Sequence, residues 1–375
     1  MKKVCVLTTV HPAYDGRIYH KEIKSLKKAG YHVTLIAPEP EDKNIAKEDG
    51  IELIPIFKPK SEISRILQSF KVVKAAMETK ADIYHFHDPE LLPAGVLIRL
   101  MTKRPVIFDV HEHYPNAIMS KKYLKNWLKR PISLLYRMIE RVSLTVISGV
   151  IYTTEEIGER YKRYKSIKIE NYPLKTMFND LNERSPNEFE LLYLGGITPI
   201  RGIEELIRGF AIVHQAIPEA RLVFVGGFES HSFELKIKKI VEELDLENHI
   251  EFKGKFPYTQ IAQFLSHSSL GVIPYLPVPN HLVCLPNKLF EYMAAGVPVI
   301  ASDFPHYRKV VENAQVGILV DPEQPARIAE GILSLLTNQS SLGKYSINGK
   351  SSFDKTYNWE EEERKLVTFY RTFHK

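Results

Sequence analysis

The chain has 375 residues, of which 44% are hydrophobic and 26% charged, and a formal net charge of +6. That length suits two domains better than one core, and the balance excludes a disordered or fibrous protein. Charges or glycines interrupt every apolar run well short of the roughly 20 residues that cross a bilayer.

The positive charge has a local source. Between Met101 and Val150, nine Lys and Arg residues face only Asp109, Glu112 and Glu140. No nucleic-acid-reading motif accompanies this block, so nucleic acid is not an expected partner. A local anionic surface fits better, and in KKYLKNWLKR (121–130) Tyr123, Leu124, Trp127 and Leu128 interleave with Lys121, Lys122, Lys125, Lys129 and Arg130. That mixture suits peripheral contact with an anionic membrane, or an exposed helix with a core-facing tryptophan. The opening MKKVCVLTTVHP has a short apolar run with no small-residue cleavage site, and reads as a buried strand rather than a signal peptide. Cys5 and Cys284 each lie in apolar sequence and are expected as reduced core thiols of a cytoplasmic protein.

In chain order, strands are predicted at Val4–Thr8, His32–Ala37, Ile51–Ile56, Ile83–Phe86, Val106–Val110 and Gly149–Thr153. A helix is predicted over Ile18–Ala29, where Ile18, Ile23, Leu26 and Ala29 share a face and Gly30 stops the turn. A second series follows at Glu188–Leu194, Leu222–Val225, Ile250–Phe252, Leu270–Pro274, Val297–Ala301 and Gly317–Val320, with helices such as Ile203–Ile217 and Ala326–Leu336 between. Alternation of this kind predicts two doubly wound α/β domains with parallel sheets. The expected boundaries are 1–172, a polar linker at 173–187, 188–355, and a terminal helix at 356–375. Ligands of such sheets bind beyond the carboxyl ends of the strands.

The most informative stretch is PNKLFEYMAAGVPVIASD (286–303). Asn287 is placed to cap a helix whose free N–H groups attract phosphate. Leu289, Phe290, Met293 and Ala294 give that helix an apolar face, and Gly296 ends it. Glu291 is a carboxylate that packing does not require, and it can hold the two hydroxyls of a ribose. Upstream, YLGGITPIRGIEELI places the Gly195–Gly196 turn after a strand and Arg201 just before the next helix. The glycines let backbone approach an anion closely, and the forked guanidinium suits phosphate oxygens.

These motifs closely resemble those of family 4 glycosyltransferases, in the group carrying the PNKLFEY variant of the donor-binding motif. The resemblance implies the GT-B fold, two Rossmann-like domains facing a cleft with the last helix returning to the first domain, and a retaining, metal-independent glycosyltransferase. Sugar would pass from a nucleotide-diphosphate donor, UDP by family frequency, to a glycan, lipid-linked or other cell-envelope acceptor. A UDP-sugar epimerase, a metal-dependent hydrolase and a non-catalytic sugar-nucleotide binding protein are the alternative functions. The carried-over catalytic set is His111, Arg201, Lys288 and Glu291. His111 would hydrogen-bond the donor sugar, its imidazole suited to either role near neutral pH without a large desolvation cost.

The donor-binding set adds Gly16, Gly195, Gly196, Asn287 and Leu289, with Val225, Gly226, Lys255 and Phe256 at strand ends as the lining of a base pocket. Asp15, Arg17, Asp88, Glu112 and His113 are acceptor-side candidates, with a local Asp15–Arg17 ion pair the plainer reading of those two. Two positions depart from the pattern. Gly196 stands where an arginine is common, so Lys288 is the candidate for the second phosphate charge. Val283 stands where a sugar-binding glutamate is usual, and Asn280, His281, Asn287 or backbone N–H groups at 285–289 are left to take its place. His85, His87, Asp88, His111 and His113 invite a metal reading, but the second half supplies no matching ligands and no Asp-x-Asp pair, so neither metal nor other cofactor is expected.

Overall fold

The computed structural model describes residues 1–40, 45, 47, 49–57, 71–120, 124–178, 181, 185–257 and 260–374. Lys121, Lys122 and Tyr123 of the basic block lie outside the described residues, as do 179–180 and 182–184 of the expected linker. The chain divides into an N-terminal unit, Met1–Asn171 with Glu360–Lys375, and a C-terminal unit, Tyr172–Trp359.

The N-terminal unit holds β1 (Lys3–Leu7), β2 (His32–Pro38), β3 (Glu52–Ile56), β4 (Ile83–Phe86), β5 (Val106–Val110), β6 (Gly149–Tyr152) and β7 (Ser166–Lys168). They form one parallel sheet in the order β3-β2-β1-β4-β5-β6-β7. In the C-terminal unit, β8 (Glu190–Leu194), β9 (Arg221–Val225), β10 (Ile250–Gly254), β11 (Leu270–Ile273), β12 (Val299–Ser302) and β13 (Gly317–Val320) give the order β10-β9-β8-β11-β12-β13, again parallel. In both sheets the strand order reverses beside the first strand, β1 against β4 and β8 against β11. Ligands bind at such switch points.

The helices used below are α1 (Lys24–Lys28), α2 (Leu92–Thr102), α3 (Tyr114–Ser120), α4 (Asn126–Leu144), α5 (Ile203–Ala216), α6 (Asn287–Ala295) and α7 (Trp359–Arg371). Tyr370 of α7 is fully buried, and its hydroxyl lies 2.7 Å from His85 Nδ1 on β4. Glu363 of the same helix accepts from Ser25 and pairs with Lys28.

Three expectations are corrected. The helix expected at Ile18–Ala29 begins as a π-helical turn, Ile18–Ile23, with α1 only after it. Its wide turn is visible where Glu22 N–H donates to Arg17 O and His20 N–H to Asp15 O. Asp15 also accepts from the N–H groups of Arg17 and Ile18, so the chain starts around a side chain rather than a regular cap. Short β7 was not predicted. Cys284 is half-buried in a loop and is not a core thiol, whereas Cys5 is buried on β1.

Candidate active site

In the C-terminal unit the site is assembled at the carboxyl ends of β8 and β11. Tyr292, fully buried on α6, bonds twice to β8: its hydroxyl donates to Leu192 O and accepts from Leu194 N–H. Its ring lies against Gly271 of β11, where an added Cβ would meet ring atoms at 2.7 Å. This clamp fixes α6 against both strands and sets Lys288, one turn earlier, beside the loop after β8. Gly202 has φ +66°, and a Cβ there would fall 1.9 Å from Pro274 O, so only glycine lets α5 start against the end of β11.

Two cations converge on the glycine turn. A Cβ built at Gly195 would lie 3.2 Å from Lys288 Nζ and 3.3 Å from Arg201 Nη1. Arg201 Nη1 donates to Gly196 O at 3.0 Å, and Tyr193 OH donates to the same carbonyl at 2.9 Å. Lys288 Nζ lies 3.9 Å from the Tyr193 ring centre and 5.0 Å from that of Tyr275. It is buried with no hydrogen-bond partner among the described residues. Burial and the Arg201 charge push its pKa well below the usual lysine value, against the pull of Glu291. An orphaned buried cation beside a second cation is an unfavourable arrangement that a bound anion relieves.

Glu291 is buried on the same helix, 7% exposed. Asn287 is exposed at the first helical position, and Pro286 takes the capping position without a side-chain bond, so the expected Asn287 cap is not formed. Leu289 has its side chain in the core, and its N–H donates to Pro286 O. Val225 is likewise buried, and its carbonyl accepts from Gly195 N–H. Gly226 packs directly on that turn, where a Cβ would meet Gly195 O at 1.9 Å. Lys255 and Phe256 are exposed beyond β10, with Phe256 edge-on to Phe264. Val283 is half-buried, and His281 Nδ1 lies 2.9 Å from Leu276 O.

The N-terminal unit gathers a buried charge network. Arg17 does not pair with Asp15. Its Nε lies 2.8 Å from Glu22, its Nη2 3.0 Å from Asp109, and its Nη1 donates to Ile169 O. His85 and His87 are both fully buried, with ring centres 4.5 Å apart.

His111 Nε2 lies 3.2 Å from His87 Nδ1, and its Nδ1 lies 3.2 Å from Asp109. Burial pushes His111 down to about 4, although Asp109 pulls the other way. The expected freedom from desolvation is therefore corrected: His111 is a neutral imidazole at neutral pH. Burial also lowers His85 to about 4. Glu22 is raised well above its usual value by burial and the Asp109 charge, whereas Asp109, against the opposing effect of burial, is held below its usual value by Arg17 together with His111, His87 and His85.

The metal cluster read from sequence is not the one the fold assembles. Among the described residues, the ligand atoms of Glu22, His85, His87 and Asp109 lie within 4.8 Å of one another, and Arg17 already supplies positive charge to both carboxylates. Asp88 turns away to accept from Thr8 and from both the N–H and hydroxyl of Thr9. His113 accepts from Asn116 N–H, Glu112 is exposed, and Gly16 stands in open space.

His11 was missed. It lies edge-on to His111, 3.6 Å from both Asp15 and Asp88, and one-third exposed. Burial works against its charge, but the Asp15 hydrogen bond and the Asp88 charge raise its pKa above the usual histidine value. Tyr193 and Tyr275, the aromatic walls around Lys288, were also missed. The YLGG tetrapeptide was the available signal for the first of them.

Two parallel-sheet α/β units, each with its strand order reversing beside its first strand, have the architecture of the GT-B glycosyltransferases. Residues 16–170 match Glycosyltransferase Family 4, and residues 177–352 match Glycosyl transferases group 1. Together these matches span most of the chain, which is a GT-B glycosyltransferase with the domain pair of family 4. An uncharacterized glycosyltransferase of Methanocaldococcus jannaschii is 23% identical over 366 residues, covering 96% of this chain and 95% of the relative. The capsular polysaccharide biosynthesis glycosyltransferase CapM of Staphylococcus aureus is 20% identical over 393 residues, covering 99% and 97%. Among solved structures, Anabaena HepE in complex with UDP-glucose is similar with a TM-score of 0.75 at 16% identity, covering 99% of this chain and 100% of that one.

Proposed function

We propose that this glycosyltransferase moves a sugar from a UDP-sugar to a glycan or lipid-linked acceptor of the cell envelope. In this reading it works on the cytoplasmic side, with retention of anomeric configuration and without a metal ion. The observation that carries the donor assignment is the convergence of Arg201 and the partnerless Lys288 on the Gly195–Gly196 turn. That pair receives the diphosphate, with Lys288 supplying the charge that Gly196 lacks, and Glu291 takes the ribose hydroxyls. HepE, solved with UDP and with UDP-glucose, supports the donor class.

For the transfer step, the acceptor hydroxyl attacks the anomeric carbon on the face the diphosphate leaves. The new glycosidic bond forms as the carbon–phosphate-oxygen bond breaks, and the departing oxygen takes the hydroxyl proton. Arg201 and Lys288 lie where charge grows on the leaving group, which is where a fixed cation lowers the barrier. His111 is neutral, so in the role implied by the resemblance it serves as a hydrogen-bond partner of the sugar and not as a charged acid.

Metal independence rests on Arg17 already neutralising the Glu22–Asp109 pair. Incubation with a panel of UDP-sugars, with and without envelope lipids and glycans, should release UDP only when an acceptor is present. Tight UDP binding with no turnover on any pair would leave a binding protein, and conversion of the donor to its epimer alone would assign an epimerase.

A further inference from the structure

Helix α4 carries its amphipathic pattern inside out. The face turned into the protein holds Ser133, Tyr136, Glu140 and Ser143, three of them buried and Tyr136 half-buried. Ser133 donates to Pro115 O, Tyr136 donates to Glu140, and Glu140 pairs with Arg160 and accepts from Tyr161. Most of its large apolar residues lie on the other side, although Leu144 is buried. Trp127, Leu134, Leu135, Met138 and Val142 recur at helical spacing and are exposed by 70, 60, 57, 60 and 69%. Helix α2 packs beside α4 and extends the patch with Leu100 and Met101, exposed by 62 and 57%. A single exposed leucine is ordinary, but a run across two neighbouring helices marks an interaction surface.

The charges around the patch say what it meets. Arg130, Arg137 and Arg141 follow one edge of the apolar stripe, and Lys125 stands at its start, all but the last within α4. Among the described residues none of these four has an ion-pair partner. From Leu92 to Val150 the only acids are Asp109, Glu112 and Glu140. Asp109 and Glu140 are buried and already taken by Arg17 and Arg160. The surface is therefore apolar and basic with almost nothing acidic, and no helix among the described residues is long and apolar enough to cross a membrane.

We propose that this face of α4, continued by α2, docks on an anionic lipid bilayer, with α4 lying in the plane of the interface. Apolar side chains enter the acyl boundary while the arginines meet lipid phosphates, the division of labour of interfacial helices. A second copy of the chain is the poorer occupant, because it brings the same basic edge and no acidic strip on these helices to receive it. Trp127 is not core-facing, and the contact expected at 121–130 shifts toward Val142. The inference stands on this surface alone and does not need the transferase reading. If both hold, the enzyme works where lipid-borne acceptors lie.

The test uses the full chain with phosphatidylcholine vesicles, alone or mixed with phosphatidylglycerol. The chain should float with the anionic vesicles, less with the neutral ones, and less as salt rises. Its two tryptophans make the contact visible, since Trp359 is fully buried and any blue shift on adding vesicles reports Trp127. Leu134→Ser with Met138→Ser and Val142→Ser should weaken partition at least ~tenfold at unchanged thermal melting. Arg130→Ser with Arg137→Ser and Arg141→Ser should erase the preference for anionic vesicles. Failure of the unaltered chain to float or shift its fluorescence overturns the proposal. So does a dimer by light scattering that the apolar triple variant converts to monomer, because the face would then be a self-interface.

Discussion

Replacing Lys288 with methionine separates two contributions that one side chain makes with opposite signs. In the free protein the Lys288 side-chain nitrogen is buried, has no hydrogen-bond partner among the described residues and lies close to Arg201. Methionine fills nearly the same space without the charge, which relieves an unsatisfied buried group that costs about 1–3 kcal/mol. The unit should melt higher by roughly 2–4 °C for each kcal/mol recovered. UDP binding should move the other way. Losing one charge-assisted hydrogen bond to the diphosphate costs about 1.5–3 kcal/mol, or roughly 10- to 150-fold in affinity.

Proton linkage gives a third signature. The free-protein pKa of Lys288 is depressed, and a bound diphosphate raises it, so binding above the free-protein value takes up a proton. Affinity is then full below that value and falls as pH rises through it, and the calorimetric enthalpy varies with the buffer. Scanning fluorimetry and calorimetry in two buffers measure all three quantities. A Lys288→Met protein that melts lower and binds UDP within about twofold of the parent would refute the argument.

Three further outcomes follow from the geometry. Glu291→Gln should weaken UDP but leave inorganic pyrophosphate binding nearly unchanged, because the carboxylate is assigned to the ribose; calorimetry with both ligands decides this. In histidine-selective NMR, His11 should titrate above the usual histidine value, while His85 and His111 stay neutral down to about pH 4. Arg17→Met should destabilise by about 3–5 kcal/mol by leaving Glu22 and Asp109 without their cation, and denaturant unfolding of the full chain measures it.

The parallel sheets were legible in the sequence because their strands are short apolar runs punctuated by glycine, and most expected strands fall within two residues of those observed. Edge strand β7 was not, since Ser166–Lys168 has no apolar run to signal it. The position of Arg201 against the Gly195–Gly196 turn was legible because the two are close in sequence. The site was illegible where the fold brings distant residues together. Nothing near Arg17 announces that its partners are Glu22 and Asp109, because the ion pair depends on where β1 and β5 end. For Leu289 and Val225, position beside a motif does not reveal that the side chain is buried or that an N–H or a carbonyl is already engaged.

The last helix gives the N-terminal unit a discontinuous primary structure. Tyr370 reaches His85, and Glu363 reaches Ser25 and Lys28, across more than two hundred positions of intervening chain. A fragment cut at residue 171 would leave these groups stranded, so expressing that half alone calls for grafting on residues 360–375. Chimeras that exchange this unit between relatives would, for the same reason, have to be spliced at two junctions.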